Sequence, residues 1–473
     1  MDREGVSQQN SYVRPPVVVV LGHVDHGKTT LLDAIRKTNE ASREAGGITQ
    51  RIGASIAITQ NKRRITFIDT PGHAAFTQMR SRGVEVADIA ILVVAADDGV
   101  QPQTKEALKI IREAQIPFIV AITKTDLPSA NMEVVRDELE KEGVAFEKRG
   151  GDVPLIPVSA KKGEGINELL EIILLVSDLA NIKTKIEAPL EAVVIETSKD
   201  RRGILVSVIV KNGVLKKGQK ISADGNTCKI RGLFNDKNIK VDSIYPGEPA
   251  LILGFESFPA VGSLITQVGN IDKKVTEAPF WKAKEPKKEG LPIILKTQSA
   301  GVMESILENL PEKVIVVAAG VGEVNETDVF TAKTTGTKYI FVFAAKVPSS
   351  VKKLAETEGV KIEEYEVIYE LFRRFEELLK EGQEKVIGKA QILATFPFDG
   401  RKVAGCKVIE GEISKVNKLI LKRADKILGE VKIISMKRQK QDINIAKVGE
   451  EFGVLIEPEL DFVIGDMILS VAK

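Results

Sequence analysis

The stretch Val17–Thr30, VVVVLGHVDHGKTT, decides the fold. Its first five residues are apolar and read as a buried strand. Gly22-x-x-x-x-Gly27-Lys28-Thr29 follows with the spacing of a phosphate-binding loop. LLDAIRK then has helical periodicity, with Leu31, Leu32 and Ile35 on one side. The loop therefore sits between a strand and a helix N-terminus, where backbone N–H groups converge on a phosphate and the helix dipole adds to them. Gly22, His23, Val24, Asp25, His26, Gly27, Lys28, Thr29 and Thr30 form the candidate cradle. Gly27 allows close approach of the backbone. Lys28 brings a cation to the β- and γ-phosphates, and the Thr29 hydroxyl is a hard oxygen ligand for Mg²⁺.

Downstream residues fit the same chemistry. Glu44–Gly53 is a polar connection with two adjacent glycines and reads as a mobile loop. Arg64–His73 runs a strand into Asp69-Thr-Pro-Gly72-His73. Asp69, at a strand end opposite the loop, can hold Mg²⁺ through water, and Gly72 can turn an N–H toward a γ-phosphate. Ile89–Ala96 is a third buried strand, followed by a helix around Gln103–Ala114. The strand Pro117–Ile122 ends in Thr123-Lys124-Thr125-Asp126, and Leu155–Val158 ends in Ser159-Ala160-Lys161. Strands alternating with helices imply a parallel sheet, whose ligands bind at the carboxyl ends of the strands. Every motif named lies at such an end. The Asp126 carboxylate can accept two hydrogen bonds from guanine's ring N–H and exocyclic amine, which adenine lacks. Lys124 can lay its stem along the base. Ser159 and Ala160 can offer a hydroxyl and backbone groups near the base oxygen.

At 473 residues the chain holds several domains. Hydrophobic residues are 43% and charged residues 28%, as in globular chains; a net charge of +2 confines any nucleic-acid site to a local patch. Cys228 and Cys406 have no metal or redox spacing, which suits a reducing cytoplasm. The longest apolar run, Ala87–Ala96, contains Asp88 and is too short to span a membrane; Val17–Leu21 is too short for a signal peptide.

GHVDHGKT, GGIT, DTPGH, TKTD and SAK, in this order, resemble the five motifs of translational GTPases. AGGITQRIGAS, RSRGVEVADIAILVVAADDGVQPQT and VAGCKVIEGEI narrow the resemblance to the bacterial translation initiation factor 2 family, from Pro15 to the end, with no counterpart of the family's long N-terminal extension. The resemblance implies GTP/GDP and Mg²⁺ as ligands. Thr49 would be the switch threonine that meets Mg²⁺ and γ-phosphate, beside Thr29 and Asp69. His73 would position the attacking water behind an apolar gate of Val24 and Ile48. Asp25 would hold a monovalent cation. Thr123 stands where the family has Asn, whose amide touches the purine and ties loops together, and Arg51 stands where it has His.

The remaining chain reads as three further domains. Residues 1–14 are expected to be a disordered tail, 15–181 the GTP-binding domain, 184–278 a β-barrel, 289–381 an αβα domain with a linking helix, and 384–473 a second barrel. GILVSVIVKNGVLKKGQKI reads as strand, Asn-Gly turn, strand. AKEPKKEG is a charged linker. IYPGEPALIL with VGSLI parallels IAKVGEEFGVLI with IGDMI, and the equivalent glycines are Gly247 with Gly449 and Gly262 with Gly465. Nine of the residues from Lys415 to Lys440 are Lys or Arg, against Asp425 and Glu430, which attracts an RNA backbone. In the family this barrel holds formylmethionyl initiator tRNA. The matching positions are Cys406, Lys437, Arg438, Gln439, Lys440, Glu451, Phe452 and Gly453, in a pocket expected to offer backbone N–H groups near Cys406 and Gly453. The family's aromatic near Gln439 and its Cys near Phe452 are replaced. The implied partners are both ribosomal subunits and initiator tRNA, with the chain a cytoplasmic monomer that does not touch membranes. Rival readings are another translational GTPase, against which the αβα domain speaks, and a non-hydrolysing ribosome-assembly switch, against which Lys28, Thr29, Thr49 and His73 speak.

Overall fold

Six strands set the position of everything that follows. In the computed structural model, β1 (Val17–Gly22), β2 (Gly53–Ile58), β3 (Arg64–Asp69), β4 (Ile89–Ala95), β5 (Phe118–Thr123) and β6 (Leu155–Pro157) form one sheet in the order β2-β3-β1-β4-β5-β6. Only β2 runs antiparallel, against β3. The structure describes residues 13–38, 49–50, 52–147, 149–268, 290–381, 386–398, 401–424, 426–439 and 441–471. Helices α1 (Lys28–Arg36), α2 (Thr77–Val86), α3 (Pro102–Ala114), α4 (Met132–Lys141) and α5 (Ile166–Leu179) connect the strands. Val17–Leu21 are all fully buried, each contributing about 1.5–3 kcal/mol through its burial. Arg14, expected in the tail, is instead buried: its guanidinium donates to both Asp88 oxygens, at 2.6 and 2.7 Å. That pair also accounts for an aspartate inside an apolar run.

The chain divides into two compact units, Met1–Phe375 and Glu376–Lys473. In the first, seven antiparallel strands between Glu191 and Gln267 wrap one core, with Leu215–Lys216 and Ser243–Ile244 as a separate ribbon. The end strands of this path are not hydrogen-bonded to each other. The Asn212-Gly213 turn does not make the expected hairpin. Gly203–Asn212 pairs with Glu191–Asp200 and Pro249–Leu253, while Leu215–Lys216 pairs with Ser243–Ile244. A four-stranded parallel sheet follows, in the order Val314–Val321, Leu291–Thr297, Tyr339–Phe343, Lys361–Tyr365, with helices between its strands. Leu371 and Phe375, on the helix Ile368–Glu381, are fully buried, and the Phe375 ring meets that of Phe341 edge-on with centroids 4.8 Å apart.

The N-terminus of the helix Ala300–Glu308 is held from elsewhere in the chain. Glu196 Oε1 accepts from Gly301 N at 3.0 Å and Thr197 N at 2.8 Å, and Oε2 accepts from Ser299 Oγ at 2.8 Å. Burial nevertheless raises the Glu196 pKa. A carboxyl whose folded pKa is raised favours folding most below its unfolded value, and that contribution is lost as pH rises through the folded pKa. Glu196→Gln keeps an oxygen for the two N–H groups and faces Ser299 with a donor. The variant should melt about 2–4 °C higher at neutral pH, with the difference vanishing toward pH 4, by thermal denaturation at several pH values. A variant less stable at every pH would contradict this account.

In the second unit, Val386–Phe398, Met467–Val471, Lys418–Arg423, Lys426–Arg438, Glu451–Glu457 and Arg401–Ser414 pair in that order, and the last pairs back with the first, closing a barrel. The internal repeat is structural. Gly247 and Gly449 both have φ of 83°, and their N–H groups donate to Val210 O and Val408 O at 2.7 and 2.9 Å. Gly262 N donates to Val194 O at 2.7 Å and Gly465 N to Ile392 O at 2.9 Å. The same turn thus recurs in both barrels where an L side chain is disfavoured. The basic run is partly neutralised: Arg423 is bidentate to buried Asp466, and Lys418 pairs with Glu430 at 2.6 Å. Among the described residues no helix is long and apolar enough to cross a membrane.

Candidate functional site

A cavity of about 350 Å³ opens at the carboxyl ends of β1, β3, β5 and β6. Val24, Asp25, Gly27, Lys28, Thr29, Thr30, Thr49, Gly72, His73, Thr123, Lys124, Asp126, Ala160 and Lys161 line it, as does Leu127, which the motif reading missed. Gly27 caps α1 with φ of 83°. An added Cβ there would meet only Thr123 Oγ1, at 4.0 Å, so positive φ rather than crowding from the protein calls for glycine. At Gly72 it is crowding: a Cβ would overlap Lys28 Nζ. Lys28 is buried and donates to His23 O at 2.6 Å, and burial pushes its pKa down to about 8.

The Thr29 and Thr49 hydroxyls are 2.5 Å apart, although twenty residues separate them in sequence. Asp69 is buried at the end of β3. Gln50, beside Thr49, donates from Nε2 to Glu366 O at 2.5 Å and accepts at Oε1 from Ile368 N at 3.2 Å. His73 Nδ1 accepts from Ala75 N at 3.1 Å, which leaves the proton of the neutral ring on Nε2. Burial, and then the Arg80 charge, lower its pKa, so the ring is neutral at pH 7. The Tyr369 ring stacks on it at 6.2 Å between centroids. Ile48 and Arg51 lie outside the described residues, so the gate is represented by Val24 alone.

Two expectations change. The His26 ring points into the fold, with Nδ1 accepting from Ala95 N at 3.3 Å and Nε2 facing Asp98 at 3.0 Å, so only its backbone can serve a phosphate. Ser159, fully buried, gives its hydroxyl to Asp126 Oδ1 at 2.8 Å rather than to a base oxygen. That bond holds the Asp126 carboxyl below the usual carboxylate range. The Thr123 hydroxyl donates to His26 O at 2.6 Å and so ties the end of β5 to the loop before α1. Asp126→Asn should weaken GTP by roughly 10- to 100-fold and favour xanthine nucleotide, whose 2-oxo group accepts from the new amide. Competition between GTP and XTP measures the ratio, and an unchanged ratio would remove Asp126 from the base.

A second cavity, about 560 Å³, lies on the closed barrel. Cys406, Lys437, Arg438, Gln439, Glu451, Phe452 and Gly453 all line it; Lys440 lies outside the described residues. The expected backbone donors are not there. Gly453 pairs with Gly405 on one side and Lys437 on the other, so its strand's N–H groups belong to the ladder. The Cys406 thiol is buried, pushed up to about 12, and directed at Ala404 O at 3.7 Å. Of the charged side chains here, Arg438 pairs with Glu450, Glu451 with Lys407 at 3.4 Å and Lys437 with Asp442 at 4.0 Å. Phe396, half exposed on the rim, was missed; its signal is an aromatic beside the tip of a polar hairpin.

The β2-β3-β1-β4-β5-β6 sheet, the Lys28–Thr29 cradle and the Asp126–Ser159 pair define a P-loop guanine-nucleotide-binding domain. Residues 14–178 match the family described as Elongation factor Tu GTP binding domain, 189–268 Elongation factor G domain 2, and 267–376 Translation-initiation factor 2. The chain is 41% identical to Translation initiation factor IF-2 of Thermotoga sp. (strain RQ2), over 93% of this chain and 69% of that protein. It is 42% identical to the protein of the same name from Halothermothrix orenii, over 96% and 71%. A crystal structure of GDP-bound aIF5B from Aeropyrum pernix is 28% identical over 98% of this chain and 92% of that one, with a TM-score of 0.45. The chain belongs to the translation initiation factor 2 family and is a GTP-binding GTPase of translation initiation.

Proposed function

We propose that the GTP-bound chain holds formylmethionyl initiator tRNA on the small ribosomal subunit, favours joining of the large subunit, and leaves after ribosome-stimulated hydrolysis to GDP. It works in the cytoplasm as a monomer. The observation that carries the tRNA part is the second cavity, where residues from four separate stretches of sequence converge around Lys437, Gln439 and the half-exposed Phe396.

At the nucleotide site the donor set suits Mg²⁺: two hydroxyls 2.5 Å apart and a buried carboxylate are hard oxygens. Thr29, Thr49 and Asp69 would hold the ion, which when bound neutralises charge on the phosphate oxygens. Lys28 aims its ammonium at the phosphates, and Asp25 would hold a monovalent cation. His73, with Nδ1 engaged by Ala75 and its proton on Nε2, presents a donor to the cavity, so its part is to place the water and the phosphate oxygens.

A formyl group removes the positive charge of the α-amine, and a charged amine entering the apolar side of the second cavity would lose its hydration. The full chain should bind formylated initiator tRNA about tenfold tighter than the unformylated form, with both weakening as salt rises. Binding of the two forms at two salt concentrations separates the contributions. Equal binding at each salt would reduce the barrel to a general RNA binder.

A further inference from the structure

His73, proposed to place the attacking water, and Val24, proposed for its apolar gate, come from different loops, and helix α3 reaches both. Gln103 Oε1 accepts from Val24 N at 3.1 Å. One turn further on the same face, Glu106 Oε1 accepts from Arg80 Nη2 at 2.6 Å. Arg80 is almost fully buried, and its other nitrogen donates to Pro71 O at 3.0 Å and His73 O at 2.6 Å. The loop that carries His73 is thus clamped by its own backbone carbonyls, through Arg80, to the helix that holds Val24.

We infer that α3 is a bracket: Gln103, and Glu106 acting through Arg80, are positioning residues that set the gap between Val24 and His73 in which the attacking water must sit. The inference rests on the proposed water-placing role of His73. Two features separate the bracket from general packing. Both contacts end on backbone atoms of the two loops, so they set loop position and leave the cavity-lining side chains free to act. Moreover, Gln103, Glu106 and Arg80 are absent from the residues lining the cavity, so the bracket can affect hydrolysis without holding nucleotide.

A displacement of about 1 Å in such a geometry costs up to about 100-fold in rate. Glu106→Ala and Gln103→Leu should each lower ribosome-stimulated kcat by about 10- to 100-fold, with GTP affinity within about threefold of the unmodified chain. Glu106→Gln, which keeps the acceptor, should restore most of the rate. The deciding variant is Glu106→Ala combined with His73→Ala. If Glu106 acts through His73, the double variant hydrolyses no more slowly than His73→Ala alone. Full activity of Glu106→Ala, or the same proportional loss in both backgrounds, overturns the bracket while leaving His73 in its role. If His73→Ala itself keeps the full rate, the reading of His73 fails and the bracket falls with it.

Discussion

Lys28→Ala should weaken GTP and GDP binding by about 100- to 1000-fold, the loss expected when one partner of a buried charged hydrogen bond is cut away. The ammonium already lies in the cradle, donating to His23 O at 2.6 Å, in space that Gly72 leaves by having no Cβ. A ligand phosphate therefore meets a cation already in place. Alanine would remove the charge and leave the loop's backbone donors, so residual binding should persist at high nucleotide concentration. Equilibrium titration with a fluorescent GTP analogue reads the change, and an affinity equal to that of the unmodified chain would end the phosphate-loop assignment.

His73→Ala should act on rate instead. Losing a side chain that places reacting groups costs about 100- to 10,000-fold, and here the loss should fall on ribosome-stimulated hydrolysis with GTP affinity nearly unchanged. The ring touches Ala75 N, Phe76 and Tyr369 in this structure. Its removal also costs the short turn Ala74–Phe76 a cap of about 0.5–2 kcal/mol, a local effect that global melting should scarcely register. Single-turnover hydrolysis on ribosomes, with saturating GTP, separates the two effects. Equal rates for both proteins would assign the water to another group.

The nucleotide site was largely legible because each motif answers a demand made within a few residues. A loop that turns into a helix after a buried strand needs glycine at positive φ, and the cation and hydroxyl must follow it at once. The order of the motifs then places them at strand ends without any knowledge of packing. The second cavity was legible only through family resemblance. Its residues come from four separate stretches of sequence, and neither composition nor periodicity links Cys406 to Lys437 or Glu451.

By itself the sequence determined the strand–loop–helix core, the parallel strands of the first sheet, the place of Asp126 at a strand end and the recurrence of one turn at Gly247 and Gly449. Tertiary structure decided which partners those groups meet. Arg14 left the expected tail for Asp88, 74 residues away. Gly301 found its helix cap in Glu196, 105 residues away. The Asn212-Gly213 turn joined strands that pair elsewhere. Ser159 spent its hydroxyl on Asp126, and the ladder claimed Gly453. The reason is common to all five. A backbone conformation is selected by neighbouring sterics, which the local sequence contains, whereas a buried donor, acceptor or strand edge must be satisfied by whatever the fold brings beside it.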